Sequence, residues 1–349
     1  MEEQMNICEL LELAAQPGFC VRDGRILHVN QAAQALLLSE GQEILPMLET
    51  GREEYAAFSG GQLYLSLTLG GLIRNAAVTR LADCDLFLLE ADGEQEEFRS
   101  MGLVSMELRT PLMNVITNTQ KLLSQLQPED PDTAARLNRG LAQLLRLTGN
   151  LSDVGRYRES VRMETRDICA LLEELLEKSR TLMGTVRLSW ELPREAIPCL
   201  TDAEQLERAV WNLISNAAKF LPQDGSIHVK LTRHGHRLRL SVADNGSGIA
   251  EQVRSTVFQR YLRQPGIEDS RYGLGLGLAI VRTVAANHGG TVLIEQNGTS
   301  GTRVTMTMAI RQDTETKVHS PVFRPDYAGG WDHGLLELSD WLPAEAYRE

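Results

Sequence analysis

No apolar run in this chain approaches the roughly 20 residues that a membrane-spanning helix needs, so no transmembrane segment is expected. The start, Met1-Glu2-Glu3-Gln4, is acidic and lacks the basic region of a secretory signal. The five cysteines (Cys8, Cys20, Cys84, Cys169 and Cys199) are scattered, odd in number and form no CxxC. Reduced, mostly buried thiols of a cytoplasmic protein are the simple expectation. His and Cys residues in metal-ligand spacing are missing too, which speaks against a zinc site. A net charge of −12 without any Lys/Arg cluster argues against a nucleic-acid surface. The chain also has no Gly-x4-Gly-Lys-Ser/Thr, and its glycine run is spaced GxGxG. Walker A and Rossmann phosphate loops are therefore both excluded.

What is present is enough for more than one core. At 349 residues, two or three domains are expected. The stretch Asp244-Asn245-Gly246-Ser247-Gly248-Ile249 joins a carboxylate to two closely spaced glycines. The carboxylate can accept from an exocyclic amine, and the glycines let backbone approach a base edge. Gly273-Leu274-Gly275-Leu276-Gly277-Leu278 follows and opens an apolar helix. Bare N–H groups at a positive helix end suit phosphates. Upstream, Asn212, Asn216 and Lys219 fall at i, i+4 and i+7 and share a helix face. Amide oxygens can ligate Mg2+ and an ammonium can neutralise phosphate.

In this order the three pieces resemble the N box and the two glycine boxes of the ATPase domain shared by sensor histidine kinases, gyrase-type topoisomerases and related chaperones. The match spans roughly residues 163–311. Phe258 resembles the intervening F box, and Gly301-Thr302 the last adenine-side element. The charged stretch Gln259–Tyr272 resembles the ATP lid, with Arg260, Arg263 and Arg271 as candidate phosphate contacts. The resemblance implies ATP and Mg2+ as cofactors. It implies Asn212, Asn216, Lys219, Asp244, Gly246, Gly248, Arg260, Gly273, Gly275, Gly277 and Thr302 as nucleotide-site residues, with Asn216 the best single candidate for Mg2+. Leu274 stands where many relatives carry Thr or Ser.

Residues 98–112 look like the H box of a sensor histidine kinase, including a proline inside the helix, Pro111. By that resemblance Glu107 matches the catalytic base, and Thr110 the residue that positions water for dephosphorylation. The phospho-accepting histidine should stand at position 106, which is Met106, and no histidine occurs between His28 and His228. Leu108, Leu112, Val115, Leu122 and Leu126 form a heptad row. Ala134, Leu137, Leu141, Leu144, Thr148 and Leu151 resume it after a turn-rich loop. Two such stripes bury little alone; a dimeric four-helix bundle is the natural completion, and a monomer docked on another domain is the alternative.

Earlier in the chain, a short helix over 5–15, a hairpin around Asp23-Gly24, a helix capped by Asn30 over Gln31–Leu38, and strands over Gln62–Leu69, Leu72–Leu81 and Asp85–Leu89 are expected. This pattern resembles a PAS sensor domain; a structural cap without ligand fits it equally.

The expected fold is α+β and multidomain: a PAS-like domain over 1–92, a dimerising H-box helical hairpin over 93–160, an α/β-sandwich ATPase domain of the histidine-kinase type over 161–311, and 312–349 as a disordered tail with one docking helix. The resemblance implies an ATP-dependent histidine kinase in a two-component phosphorelay, acting with a response regulator as a homodimer, or as a heterodimer with an intact histidine kinase. A non-catalytic ATP-binding regulator or response-regulator phosphatase is the alternative; an ATPase clamp of the topoisomerase or chaperone kind fits the hairpin less well.

Overall fold

Asp23 and Gly24 sit at φ +53° and +75°, the two positive-φ positions of a tight hairpin turn. The flanking strands pair as β1 (Gly18–Arg22) and β2 (Arg25–Val29). Asn30 Oδ1 accepts from the Ala33 N–H and caps α1 (Gln31–Gln34). This helix stops short of the expected Leu38, because Leu37 turns out of it at φ +63°. Helix α2 (Arg52–Ala57) leads to an antiparallel meander of β3 (Gln62–Leu69), β4 (Leu72–Arg80) and β5 (Asp85–Leu89). The computed structural model describes residues 11, 12, 14, 16–90, 92–126, 131–156, 161–248, 276–311, 328 and 330–348, with side chains of the two long helices over 100–125 and 131–153. The helix expected over 5–15 lies mostly outside the described residues.

Two long antiparallel helices follow, α3 (Asp92–Leu126), with Pro111 inside it, and α4 (Pro131–Arg156). Their apolar rows divide. Ile116, Leu141, Ala142 and Leu145 are buried in the core shared with the following domain. Leu108, Val115, Leu122, Leu137 and Leu144 are exposed, Leu108 by 51%. Five positions of the heptad rows are therefore open in the single chain, while Leu141 is taken up by the core. No helix among the described residues is long and apolar enough to cross a membrane.

The rest of the chain supplies β6 (Glu164–Asp167), α5 (Ile168–Leu182), β7 (Arg187–Glu191), β8 (Pro198–Thr201), α6 (Ala203–Lys219), β9 (Ser226–His234), β10 (Arg237–Asp244), α7 (Gly277–Asn287), β11 (Val292–Gln296) and β12 (Thr302–Ala309). Asp167 and Asp202 cap α5 and α6 through backbone N–H groups of Cys169 and Gln205. Strands β6 and β8, which sequence reading missed, pair as a small separate sheet.

The main sheet runs through two domains. Strand β11 does not end the ATPase sheet but pairs with β3 of the first domain, Val292 opposite Tyr64 and Ile294 opposite Gln62. The order is β2-β1-β5-β4-β3-β11-β12-β10-β9-β7, one continuous sheet. This explains why β3 is buried on both faces: Leu63, Leu65 and Leu67 join the first domain's core, while Tyr64 joins the second. Two ion pairs brace the junction, Arg282 with Glu90 and Arg237 with Glu54.

Within the tail expected to be disordered apart from one docking helix, residues 330–348 are ordered as a whole, and a docked helix is among them. They carry α8 (His333–Glu337), and Leu336, Leu338, Leu342 and Tyr347 are buried with α4 and α6. Burying those four side chains gives the segment a hydrophobic reason to stay ordered, at roughly 1.5–3 kcal/mol for each large apolar side chain.

Candidate functional site

Helix α6 is apolar on most of its surface, with Leu206, Ala209, Val210, Leu213 and Ile214 buried. That burial fixes its rotation and sets two amides against the start of α7. Asn212 is completely buried, and its Nδ2 donates 2.8 Å to the Arg208 carbonyl one turn back. Its Oδ1 has no hydrogen-bond partner among the described residues. Asn216 lies one turn further along the same face. Gly277 opens α7 directly against both. A Cβ there would stand 2.8 Å from Asn212 Oδ1 and 3.3 Å from Asn216 Nδ2, so only glycine fits without displacing the amides. The N-box residues and the last glycine of the GxGxG run, far apart in sequence, are thus one surface.

Asp244 ends β10 at the same end of the sheet. Its Oδ1 accepts from the Gly246 N–H at 2.8 Å and the Thr302 N–H at 3.1 Å. Burial pushes its carboxyl above the ordinary carboxylate range, and these two N–H donors oppose the shift. Its Oδ2 takes no hydrogen bond among the described residues. An acceptor in that position suits an amine donor from a ligand. Asn297 Nδ2 donates to the Asp244 carbonyl at 2.8 Å, and Asn245 Oδ1 accepts from Ser226, which locks the turn. Gly248 adopts φ +74° where it packs on Gly301, a conformation side chains rarely adopt.

Asp244, Gly246, Gly248 and Thr302 therefore form one wall, and Asn212, Asn216 and Gly277 another. Lys219 is placed differently. Its ammonium lies 2.8 Å from Asp340 Oδ2, in the segment 330–348. Phe258, Arg260, Arg263, Arg271, Gly273, Leu274 and Gly275 lie outside the described residues. On α3, Met106, Glu107 and Thr110 are all exposed, Met106 by 39%. Sequence reading missed Asn297 and Asn245 as supports of the Asp244 turn, and Asp340 as the partner of Lys219. Nothing in local spacing marks any of the three.

The donor set fits a magnesium nucleotide. An orphaned buried amide oxygen is costly unless something uses it, about 1–3 kcal/mol. Asn212 and Asn216 would hold the hard cation through oxygen. The bare N–H groups at the start of α7 suit phosphate. Among the described residues no group of three or more His, Cys, Asp or Glu side chains could hold a metal by itself.

The site thus sets a buried carboxylate on one side and two amides on the other. Residues 201–312 match the family of Histidine kinase-, DNA gyrase B-, and HSP90-like ATPases. The chain carries a histidine-kinase-type ATPase domain within a mixed α and β architecture. It is 34% identical over 244 residues to the signal transduction histidine-protein kinase/phosphatase MprB of Mycolicibacterium vanbaalenii, which covers 66% of this chain and 50% of that protein. It is 30% identical over 237 residues to the hybrid signal transduction histidine kinase D of Dictyostelium discoideum, covering 62% of this chain and 15% of that one. The chain thus spans about half the length of the first relative and less of the second. Among solved structures, full-length ShkA in complex with AMPPNP superposes with a TM-score of 0.50 at 26% identity, over 61% of this chain and 46% of that one.

Proposed function

We propose that this protein is a sensor histidine kinase-like signalling protein that binds Mg-ATP and works with a response-regulator receiver domain. The observation that carries the reading is the convergence of Asp244, Gly246 and Thr302 with Asn212, Asn216 and Gly277 around one end of the sheet. Asp244 Oδ2 reads the adenine amine, the two amides hold Mg2+, with Asn216 the more open of the pair, and the start of α7 faces phosphate. Arg260, Gly273 and Gly275, outside the described residues, are assigned to phosphate by the resemblance alone. The first domain acts as a PAS-like sensor, supported by its antiparallel order β2-β1-β5-β4-β3 with helices between the second and third strands. Residues 93–160 form the dimerising hairpin, supported by its open apolar row.

Self-phosphorylation on that hairpin is the step this chain lacks. Glu107 stands ready as a base, but the neighbouring thioether of Met106 has no proton to give up and forms no useful phosphoryl ester. Two roles remain: kinase-like action on a histidine of a partner subunit in a heterodimer, or removal of phosphate from the regulator. The exposed Thr110, one turn from Met106, and the kinase/phosphatase name of the MprB relatives favour the second. The test is incubation of the full chain with γ-labelled Mg-ATP, then with a phosphorylated receiver. No acid-labile label on residues 98–156 is expected, together with regulator dephosphorylation slowed at least tenfold by Thr110→Ala. Acid-labile phosphate mapped to this hairpin would overturn the reading of Met106.

A further inference from the structure

The cleft between α4 and α6 is filled by residues 330–348, and the filling is polar at its centre. Asp340 Oδ2 lies 2.8 Å from Lys219 Nζ of α6 and 2.6 Å from Arg146 Nη1 of α4. Glu337, completely buried, accepts from Arg146 Nε at 3.1 Å. Its other oxygen lies 3.2 Å from Arg208 Nη1 of α6, an ion pair without hydrogen-bond alignment. Arg146 also reaches Ser215 of α6, and Arg208 reaches Asp153 and Asn150 of α4. The segment is held along α4 by side chains of one helix face: Asn138 donates to the Tyr347 carbonyl, Arg139 to those of Ser339 and Asp340, and Gln143 to that of Ser339.

Two of the three cations in this network belong to the ATPase helix, and one of them is the lysine that the nucleotide reading assigns to phosphate. In this structure that ammonium is paired with a carboxylate. We propose that residues 330–348 are an autoinhibitory clasp: Asp340 occupies Lys219 in place of nucleotide phosphate and, with Glu337, ties the helical hairpin to the ATPase domain. This rests on the reading of Lys219 as a phosphate contact. Buried ion pairs of this kind add little net stability against an apolar substitute but fix one arrangement. That is the behaviour of a latch, whose closed state is specific and whose opening is affordable. Because the clasp and phosphate compete for one group, each weakens the other by the same factor. A clasp closed about nine-tenths of the time lowers the apparent nucleotide affinity roughly tenfold.

The experiment uses the full chain and two probes, Mg-ATP and adenosine. Calorimetry compares wild type, Asp340→Asn and Asp340→Asn with Lys219→Ala. Asp340→Asn is expected to bind Mg-ATP up to roughly tenfold tighter than wild type, with adenosine affinity unchanged, and the added Lys219→Ala to abolish the gain. Hydrogen exchange on the wild type needs no variant. Saturating Mg-ATP should speed exchange of the amides over Leu336–Leu342, and adenosine, which has no phosphate, should not. If Asp340→Asn binds no tighter, the added Lys219→Ala still weakens Mg-ATP binding and exchange is unchanged by Mg-ATP, the site reading stands and the clasp is wrong. If the double variant binds Mg-ATP as well as Asp340→Asn, Lys219 does not touch phosphate and both fall.

Discussion

Gly277 is the position where one added methyl group asks the most of the site. Its Cβ would press on the amides of both Asn212 and Asn216. In a neutral setting Gly→Ala at the start of a helix gains up to about 1 kcal/mol of helix propensity. That gain offsets part of the crowding, so the domain should still fold. Gly277→Ala is therefore expected to change the unfolding free energy by less than about 1.5 kcal/mol while weakening Mg-ATP at least tenfold. Calorimetry with a parallel thermal melt checks both. Unchanged affinity would mean that the two amides do not face the nucleotide. At this scale the sequence is informative where contacts are local. The i and i+4 spacing of Asn212 and Asn216, and the Asp-x-Gly of Asp244 and Gly246, are each set by one helix turn or one tight turn. Lys219 shows the limit, because the same spacing that puts it on that face says nothing of Asp340, which tertiary packing brings to it.

Helix α7 shows how one element ties site and stability together. Its first residue is Gly277 and its C-cap is His288, buried against Thr201 and Asp202. His288 Nε2 accepts from the Asp202 N–H and Nδ1–H donates to the Val284 carbonyl, which requires the neutral ring. Burial holds its pKa below the ordinary histidine value, outweighing the Val284 carbonyl and Asp202. The unfolded chain then binds a proton that the folded chain refuses, so stability falls as pH drops below about 6.5. The slope is at most about 1.4 kcal/mol per pH unit for one group. Urea melts at pH 7.5 and 5.5 should show the loss, and His288→Gln should flatten it; a flat wild-type profile would refute the neutral cap. The strands that were legible, such as β3 and β5, have clear alternation or turn residues at both ends. Strands β6 and β8 are four residues each and have neither. The β3–β11 pairing was also illegible, because an edge accepts a neighbour through backbone groups that every residue carries.

The whole molecule joins its three units through packing: a continuous sheet ties the first domain to the ATPase-type domain, and residues 330–348 tie that domain to the hairpin. What a single chain leaves unsatisfied is the row Leu108, Val115, Leu122, Leu137 and Leu144. The proposed homodimer covers it. Leu122→Glu with Leu144→Glu places charge in the row without touching the monomer core. It should convert a dimer to a folded monomer at micromolar concentration, raising the dimer Kd at least a hundredfold, on the order of 3 kcal/mol. Light scattering that finds the wild type monomeric would end that proposal.

The central claim is that the pocket around Asp244 reads ATP. Asp244→Asn keeps Oδ1 for the Gly246 and Thr302 N–H groups and replaces only the free oxygen with a donor. A calorimetric titration of Mg-ATP into both proteins separates base reading from fold. The wild type should bind in the micromolar to millimolar range, roughly −4 to −8 kcal/mol. Asp244→Asn should bind at least tenfold more weakly, because two donors then face each other. Equal affinity in the two proteins, or a wild type that takes up no Mg-ATP, would contradict the account.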